Sequence, residues 1–129
     1  MLDINPETVC TIINKARQFH AKEQVVIPED PISPSDDDWA MQILADHTDD
    51  LTFQEARANI ADLEPDQQAQ IVALMWMGRG DYEADEWQEA VEAAQDAWNE
   101  NTTEYLFAHP YLADHLLEGL IMLGYDCEE

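Results

Sequence analysis

The stretch Asp81-Tyr-Glu-Ala-Asp85-Glu-Trp87-Gln-Glu89-Ala-Val91-Glu92-Ala-Ala94-Gln-Asp96-Ala-Trp98-Asn99 decides how this chain is to be read. Projected at about 100° per residue, Trp87, Val91, Ala94 and Trp98 fall on one side. Asp85, Glu89, Glu92, Asp96 and Glu100 fall on the opposite side, so the spacing predicts a long amphipathic helix from a cap at Asp81 to about Asn99. Like charges one turn apart cost roughly 0.2 to 0.5 kcal/mol per pair. Burying two indoles, at roughly 1.5 to 3 kcal/mol for each large apolar side chain, outweighs that repulsion.

This helix lies in the most acidic part of the chain. Residues 80–129 carry 14 carboxylates and no Lys or Arg, whereas residues 1–79 carry 15 carboxylates and all 5 cations. A segment so charged ordinarily stays unfolded. Here it also holds Tyr105, Phe107, Tyr111, Leu112, Leu116, Leu120 and Leu123, enough apolar surface to fold. Asn101 with Glu104 predicts a short helical turn through Tyr105, Leu106 and Phe107, broken before Pro110. A last helix over about 110–123 puts Leu112, Leu116, Leu120 and Leu123 on one face and Leu117 and Ile121 on another, and Gly124 ends it. The polar tail from Tyr125 reads as exposed.

Toward the N-terminus, Ala69 to Met77 is apolar on nearly every side, which a helix tolerates only when other elements surround it. Pro65 opens that helix, and Gly78 is read as its C-terminal stop. Thr52 with Glu55 reads as a capping box, with Leu51 stapled onto Ala56, for a helix to about Leu63. Ser35 before Asp36, Asp37 and Asp38 reads as another helix start, with Trp39, Ile43 and His47 on one face. Pro28, Pro31 and Pro34 make residues 24–35 a stiff linker, in which Gln24 to Ile27 is a lone, unpartnered strand candidate. Asn5 and Pro6 cap a first helix over about 6–23, with Val9, Ile12, Ile13, Ala16 and Phe19 on its apolar face. The fold class read from this pattern is all-α, a compact bundle of five or six helices. One domain fills residues 1–129: an N-terminal helix (1–23), a Pro-rich linker (24–35) and an acidic helical body (36–129).

The chain has 129 residues, 29 Asp and Glu against 5 Lys and Arg, and a formal charge of −24. That balance excludes direct nucleic-acid binding or membrane adhesion through a basic footprint. No apolar run reaches 18 residues and no secretory signal is visible, so the cytoplasm is the expected location. Cys10 and Cys127 are read as buried or idle thiols. Closing so long a loop would stabilise, but a cytosolic setting argues against a bridge.

Among candidate sites, Asp81 to Glu92 places acids at positions 1, 3, 5, 9 and 12 of a calcium loop, but Glu86 stands where the sharp turn needs Gly, and the helical pattern competes. Arg79-Gly80-Asp81 spells an adhesion tripeptide that a turn at Gly78 and Gly80 with a cap at Asp81 accounts for. His109, Asp114, His115 and Glu118 gather near the start of the last helix, where a metal or acid–base enzyme site is the alternative to packing. His115 and Glu118 run in the reverse order of a di-iron Glu-x-x-His pair, and no second copy of that motif occurs. No nucleotide fingerprint, nucleophile elbow or zinc motif occurs, so no cofactor is expected. The carboxylates Asp85, Glu89, Glu92, Asp96 and Glu100 form the candidate partner-binding face, for a basic protein or as a nucleic-acid mimic. The competing account is a solvated face in a salt-adapted proteome. A homodimer through the first helix or the strongly apolar last one fits the same pattern.

The run Gln68-Ala-Gln-Ile-Val-Ala-Leu-Met-Trp-Met-Gly-Arg-Gly-Asp81, then Trp87, then Thr103-Glu-Tyr-Leu-Phe-Ala-His-Pro-Tyr-Leu-Ala-Asp-His-Leu-Leu-Glu-Gly-Leu120, resembles a bacterial family catalogued as domain of unknown function 3775. The likeness covers about residues 65–125. It implies a bacterial origin and a small helical domain, and it brings no activity with it. The reading that results is an acidic helical protein that binds or regulates another macromolecule.

Overall fold

Asn5 and Pro6 start the first helix as their chemistry requires: the Asn5 side-chain oxygen accepts the Glu7 N–H at 2.9 Å, and Pro6 takes the first helical position. The computed structural model describes residues 4–21, 51–98, 102–107, 109 and 111–127. Among them run α1 (Pro6–Ala21), α2 (Leu51–Ala61), α3 (Pro65–Arg79), a 3-10 turn (Ala84–Glu86), α4 (Trp87–Ala97), α5 (Thr102–Phe107) and α6 (Leu112–Met122), with no strand among the described residues. The fold is all-α. The Pro-rich linker, the strand candidate at Gln24 to Ile27, the helix around Trp39, Ile43 and His47, and Glu100 lie outside the described residues.

The five predicted apolar residues of α1, from Val9 to Phe19, are all buried. Helix α1 packs on α2 and α6 of its own chain, so that face is already used. Three rings from three helices, Phe19, Phe53 and Phe107, meet with every centroid pair 5.6 Å apart. Leu51, expected to staple onto Ala56, is instead 66% exposed, because α2 turns its Phe53–Ala56–Ile60 stripe to the core.

Helix α3 is buried along its whole central run, Ala69 to Met77, with α4 and α6 against it. Its end differs from the sequence reading. Gly80 is the left-handed residue (φ +98°), its N–H bonding to the Met77 carbonyl, while the Asp81 N–H bonds to the Trp76 carbonyl. These two bonds terminate the helix one residue past Arg79, so Gly78 lies inside it. Gly78 serves a different need. A Cβ there would lie 1.8 Å from the His115 carbonyl oxygen of α6, and one on Gly119 of α6 would lie 2.3 Å from the Leu74 carbonyl oxygen of α3. The pairing of 78 with 115 and of 74 with 119 makes α3 and α6 antiparallel neighbours in backbone contact.

The acidic helix is also shorter than expected. Asp81 does not cap it, since its Oδ2 is held by Arg79, and the chain turns through the Ala84–Glu86 3-10 segment before α4 begins at Trp87. The Glu86 side chain accepts the Glu83 N–H at 2.8 Å, satisfying the turn. Trp87, Val91 and Ala94 are buried as predicted, and Ala90 with them, while Trp98 is 36% exposed. Gln68 joins three elements: its Nε2 donates to the Ile60 and Leu63 carbonyls, and its Oε1 accepts the Trp98 indole N–H at 2.8 Å.

The two cysteines, expected as idle thiols, form a disulfide with Cα atoms 5.7 Å apart. The reason is packing. Helices α1 and α6 lie together, α6 ends at Gly124 (φ +91°), and Tyr125 and Cys127 fold back half-buried onto the core instead of extending into solvent. Among the described residues no helix is long and apolar enough to cross a membrane.

Candidate functional site

Two polar regions stand out: a half-buried cluster where α3 ends against the α5–α6 corner, and the acidic surface of α4. The turn after α3 leaves Arg79 as the last helical residue with its guanidinium facing that corner. Its Nε lies 2.8 Å and its Nη2 2.5 Å from Asp81 Oδ2, and its Nη1 lies 3.4 Å from His109 Nε2. His109 occupies the turn between α5 and α6 and is only 3% exposed.

Its tautomer follows from its neighbours. His109 Nδ1 lies 2.8 Å from the Tyr105 carbonyl oxygen, which can only accept, so Nδ1 carries the proton. Nε2 then presents a lone pair toward Arg79. Burial, with the nearby Arg79 charge, pushes the His109 imidazole down to about 4, so it is neutral near pH 7. The Tyr105 ring packs edge-on against His109 with centroids 4.7 Å apart, and its hydroxyl accepts the Trp76 indole N–H at 3.0 Å. Burial raises the Tyr105 phenol above its ordinary range.

His115, one turn into α6, is half-buried beside the Tyr111 ring, and its Nδ1 is buried without a hydrogen-bond partner among the described residues. Burial, then the Arg79 charge, lowers its pKa, while Asp114 and Asp81 act the other way. Asp114 and Glu118 are exposed on α6. The four sequence candidates His109, Asp114, His115 and Glu118 therefore do not assemble into one ligand set: His109 faces Arg79, His115 packs beside Tyr111, and the carboxylates stay in water. The cluster joins two corners of the bundle through one guanidinium. The unprotonated His109 Nε2 faces Arg79.

On the acidic surface, Asp85 sits in the 3-10 turn, and Glu89, Glu92 and Asp96 are exposed along α4. Gln88 Nε2 donates to Glu92 at 3.2 Å. Among the described residues the one group of three metal-ligating side chains with ligand atoms within 4.8 Å of one another is Glu83, Asp85 and Glu86. The twelve-residue calcium-loop reading of Asp81 to Glu92 does not hold, since residues from Trp87 onward are helical and cannot wrap an ion.

Sequence reasoning missed Tyr105, Trp76 and Arg79 as a joined unit. The available signal was a cation at the end of an otherwise apolar helix, which needs a counter-charge or an acceptor. Residues 53–125 match the family model described as "Protein of unknown function (DUF3775)", a span that holds α4 to α6 and the whole Arg79–His109 cluster. No curated protein matches, and no solved structure matches.

Proposed function

The chain belongs to the DUF3775 family, and from that footing we propose that it is a helical binding module whose acidic surface, Asp85 with Glu89, Glu92 and Asp96, engages a basic partner protein. One observation carries the reading: α4 spends Trp87, Ala90, Val91 and Ala94 on the core and turns its carboxylates to solvent, in a segment without a single Lys or Arg to neutralise them. Helical positions 89, 92 and 96 rise about 10 Å along the axis, a span suited to a cationic groove or helix. Such binding is steered by charge and weakens steeply with salt.

The test is titration of the full chain with a Lys- and Arg-rich helical peptide across a salt series. Glu89→Gln, Glu92→Gln and Asp96→Asn together should weaken binding about tenfold or more. Neutralising Asp62, Asp66 and Glu118 removes the same charge elsewhere and should change it far less. Equal losses from both sets reduce the effect to net charge and overturn the reading.

The alternative is acid–base chemistry at the start of α6, favoured by His115, whose buried Nδ1 has no hydrogen-bond partner among the described residues. Hydrolysis of a generic ester or phosphoester that His115→Gln abolishes would establish it over the binding reading.

A further inference from the structure

The segment after α6 is held to the body unevenly. Gly124 and Tyr125 donate their N–H groups back to Ile121 and Leu120, closing α6. Beyond them, the Cys127 N–H goes to the side chain of its own neighbour Asp126, and among the described residues no backbone hydrogen bond ties residues 126–127 to α1. What fixes this segment on α1 is the Cys10–Cys127 bond and the half-buried packing of Tyr125 and Cys127.

Helix α1 does not depend on that bond for its seat. Val9, Ile12, Ile13, Ala16 and Phe19 bury it against α2 and α6, and Lys15 pairs with Glu55 of α2 at 2.7 Å. Both cysteines are only partly buried, packed against the core and not within it, so breaking their bond does not require dismantling the core. The chain contains no third cysteine that could rearrange the bridge internally.

We propose that the Cys10–Cys127 bond is a reducible latch: closed, it docks the segment after α6 on α1; opened by a protein or small-molecule dithiol, it frees that segment while the bundle stays folded. One thiolate of the dithiol attacks either sulfur, forming a mixed disulfide and expelling the other cysteine as a thiolate. The second thiol of the reductant then displaces the first cysteine. The S–S bond has taken two electrons, Cys10 and Cys127 each end as a thiol with one proton, and the reductant leaves as its disulfide. Opening uncovers the Cys10 surface of α1, which the closed form conceals.

The test uses the full chain, air-oxidised, then treated with dithiothreitol. Alkylation read by mass should find no reactive thiol before reduction and two after it. On reduction the far-ultraviolet dichroism should persist at room temperature, while amides of residues 126 and 127 exchange with solvent roughly tenfold faster or more and those of α3 do not change. The Cys10→Ser/Cys127→Ser double variant should show the freed pattern without reductant. Two alkylated thiols in the untreated protein overturn the proposal. So does collapse of the dichroism on reduction or in the double variant, which would make the bond a global staple. Unchanged exchange at 126 and 127 overturns it as well.

Discussion

Replacing Gly78 by alanine is the sharpest probe of this fold, because helix propensity and tertiary packing pull in opposite directions. In an isolated helix the change stabilises by about 1 kcal/mol. Here the new Cβ lies 1.8 Å from the His115 carbonyl oxygen, 2.6 Å from its carbon and 2.9 Å from its Cα, all backbone atoms that cannot swing aside. Restoring ordinary contact needs α3 and α6 to part by about 1.5 Å. That movement loosens every apolar contact between the two helices, including those of Leu74, Leu116 and Leu120, which are fully buried. Overpacking and the resulting voids together cost more than the propensity gain, for a net loss of about 2–4 kcal/mol. At this chain length that lowers the unfolding midpoint by roughly 8–16 °C. The assay is thermal and urea unfolding followed by dichroism. Gly119→Ala, whose Cβ would meet the Leu74 carbonyl oxygen at 2.3 Å, should behave alike. Gly80→Ala is the contrast: its Cβ meets nothing within 4 Å, and only its φ of +98° opposes the change, at about 1–2 kcal/mol. A Gly78→Ala protein as stable as the parent would falsify the close backbone approach.

Three further outcomes follow from the geometry. His109 titrates at about 4 when folded against 6.5 unfolded, so the unfolded chain binds the extra proton first. Its contribution is whole above pH 6.5 and drains away as pH falls toward 4, reaching a loss of about 2 kcal/mol near pH 5. Urea unfolding of the parent and of His109→Gln at about pH 7.5 and 5 should differ by that amount, and an unchanged gap between the two proteins would sink the assignment. Trp76→Phe removes the donor to the buried Tyr105 hydroxyl and should cost about 1–3 kcal/mol, with the Trp76→Phe/Tyr105→Phe double variant recovering part of it. Opening the disulfide, whose partners are 117 residues apart, releases loop entropy in the unfolded chain worth about 5 kcal/mol, so the midpoint should fall with dithiothreitol and not with an inert thioether.

The fold class was legible because burial and charge alternate at helical period in α1, α4 and α6, and local patterning of that kind needs no knowledge of neighbours. Pro6 and Pro65 fixed two helix starts for the same reason. What the sequence left open depended on which helices touch. Gly78 reads as a stop in isolation and becomes an interior contact only once α6 is laid across it, while Gly80 takes over the turn. Asp81 reads as a cap until Arg79, two residues before it, claims its carboxylate. A cytosolic setting would leave Cys10 and Cys127 as thiols, whereas their meeting is decided by α1 lying beside α6 and by Gly124 reversing the chain. Of the candidate face, Glu89, Glu92 and Asp96 lie exposed along α4 as the helical wheel has them, whereas Asp85 lies exposed in the 3-10 turn before the helix. The histidines did not gather with Asp114 and Glu118, because buried imidazoles seek a donor and an acceptor, which Arg79 and the Tyr105 carbonyl supply to His109.

The hydrogen bond from the Trp98 indole to Gln68 has an optical consequence. Trp76 and Trp87 are shielded inside the bundle, while Trp98 keeps a third of its surface in water, at the end of the helix that bears Glu92 and Asp96. In a Trp39→Phe background its emission is thus a built-in gauge: iodide should quench it ahead of Trp76 and Trp87, and a macromolecule settling on that flank should shift its colour without any dye being attached.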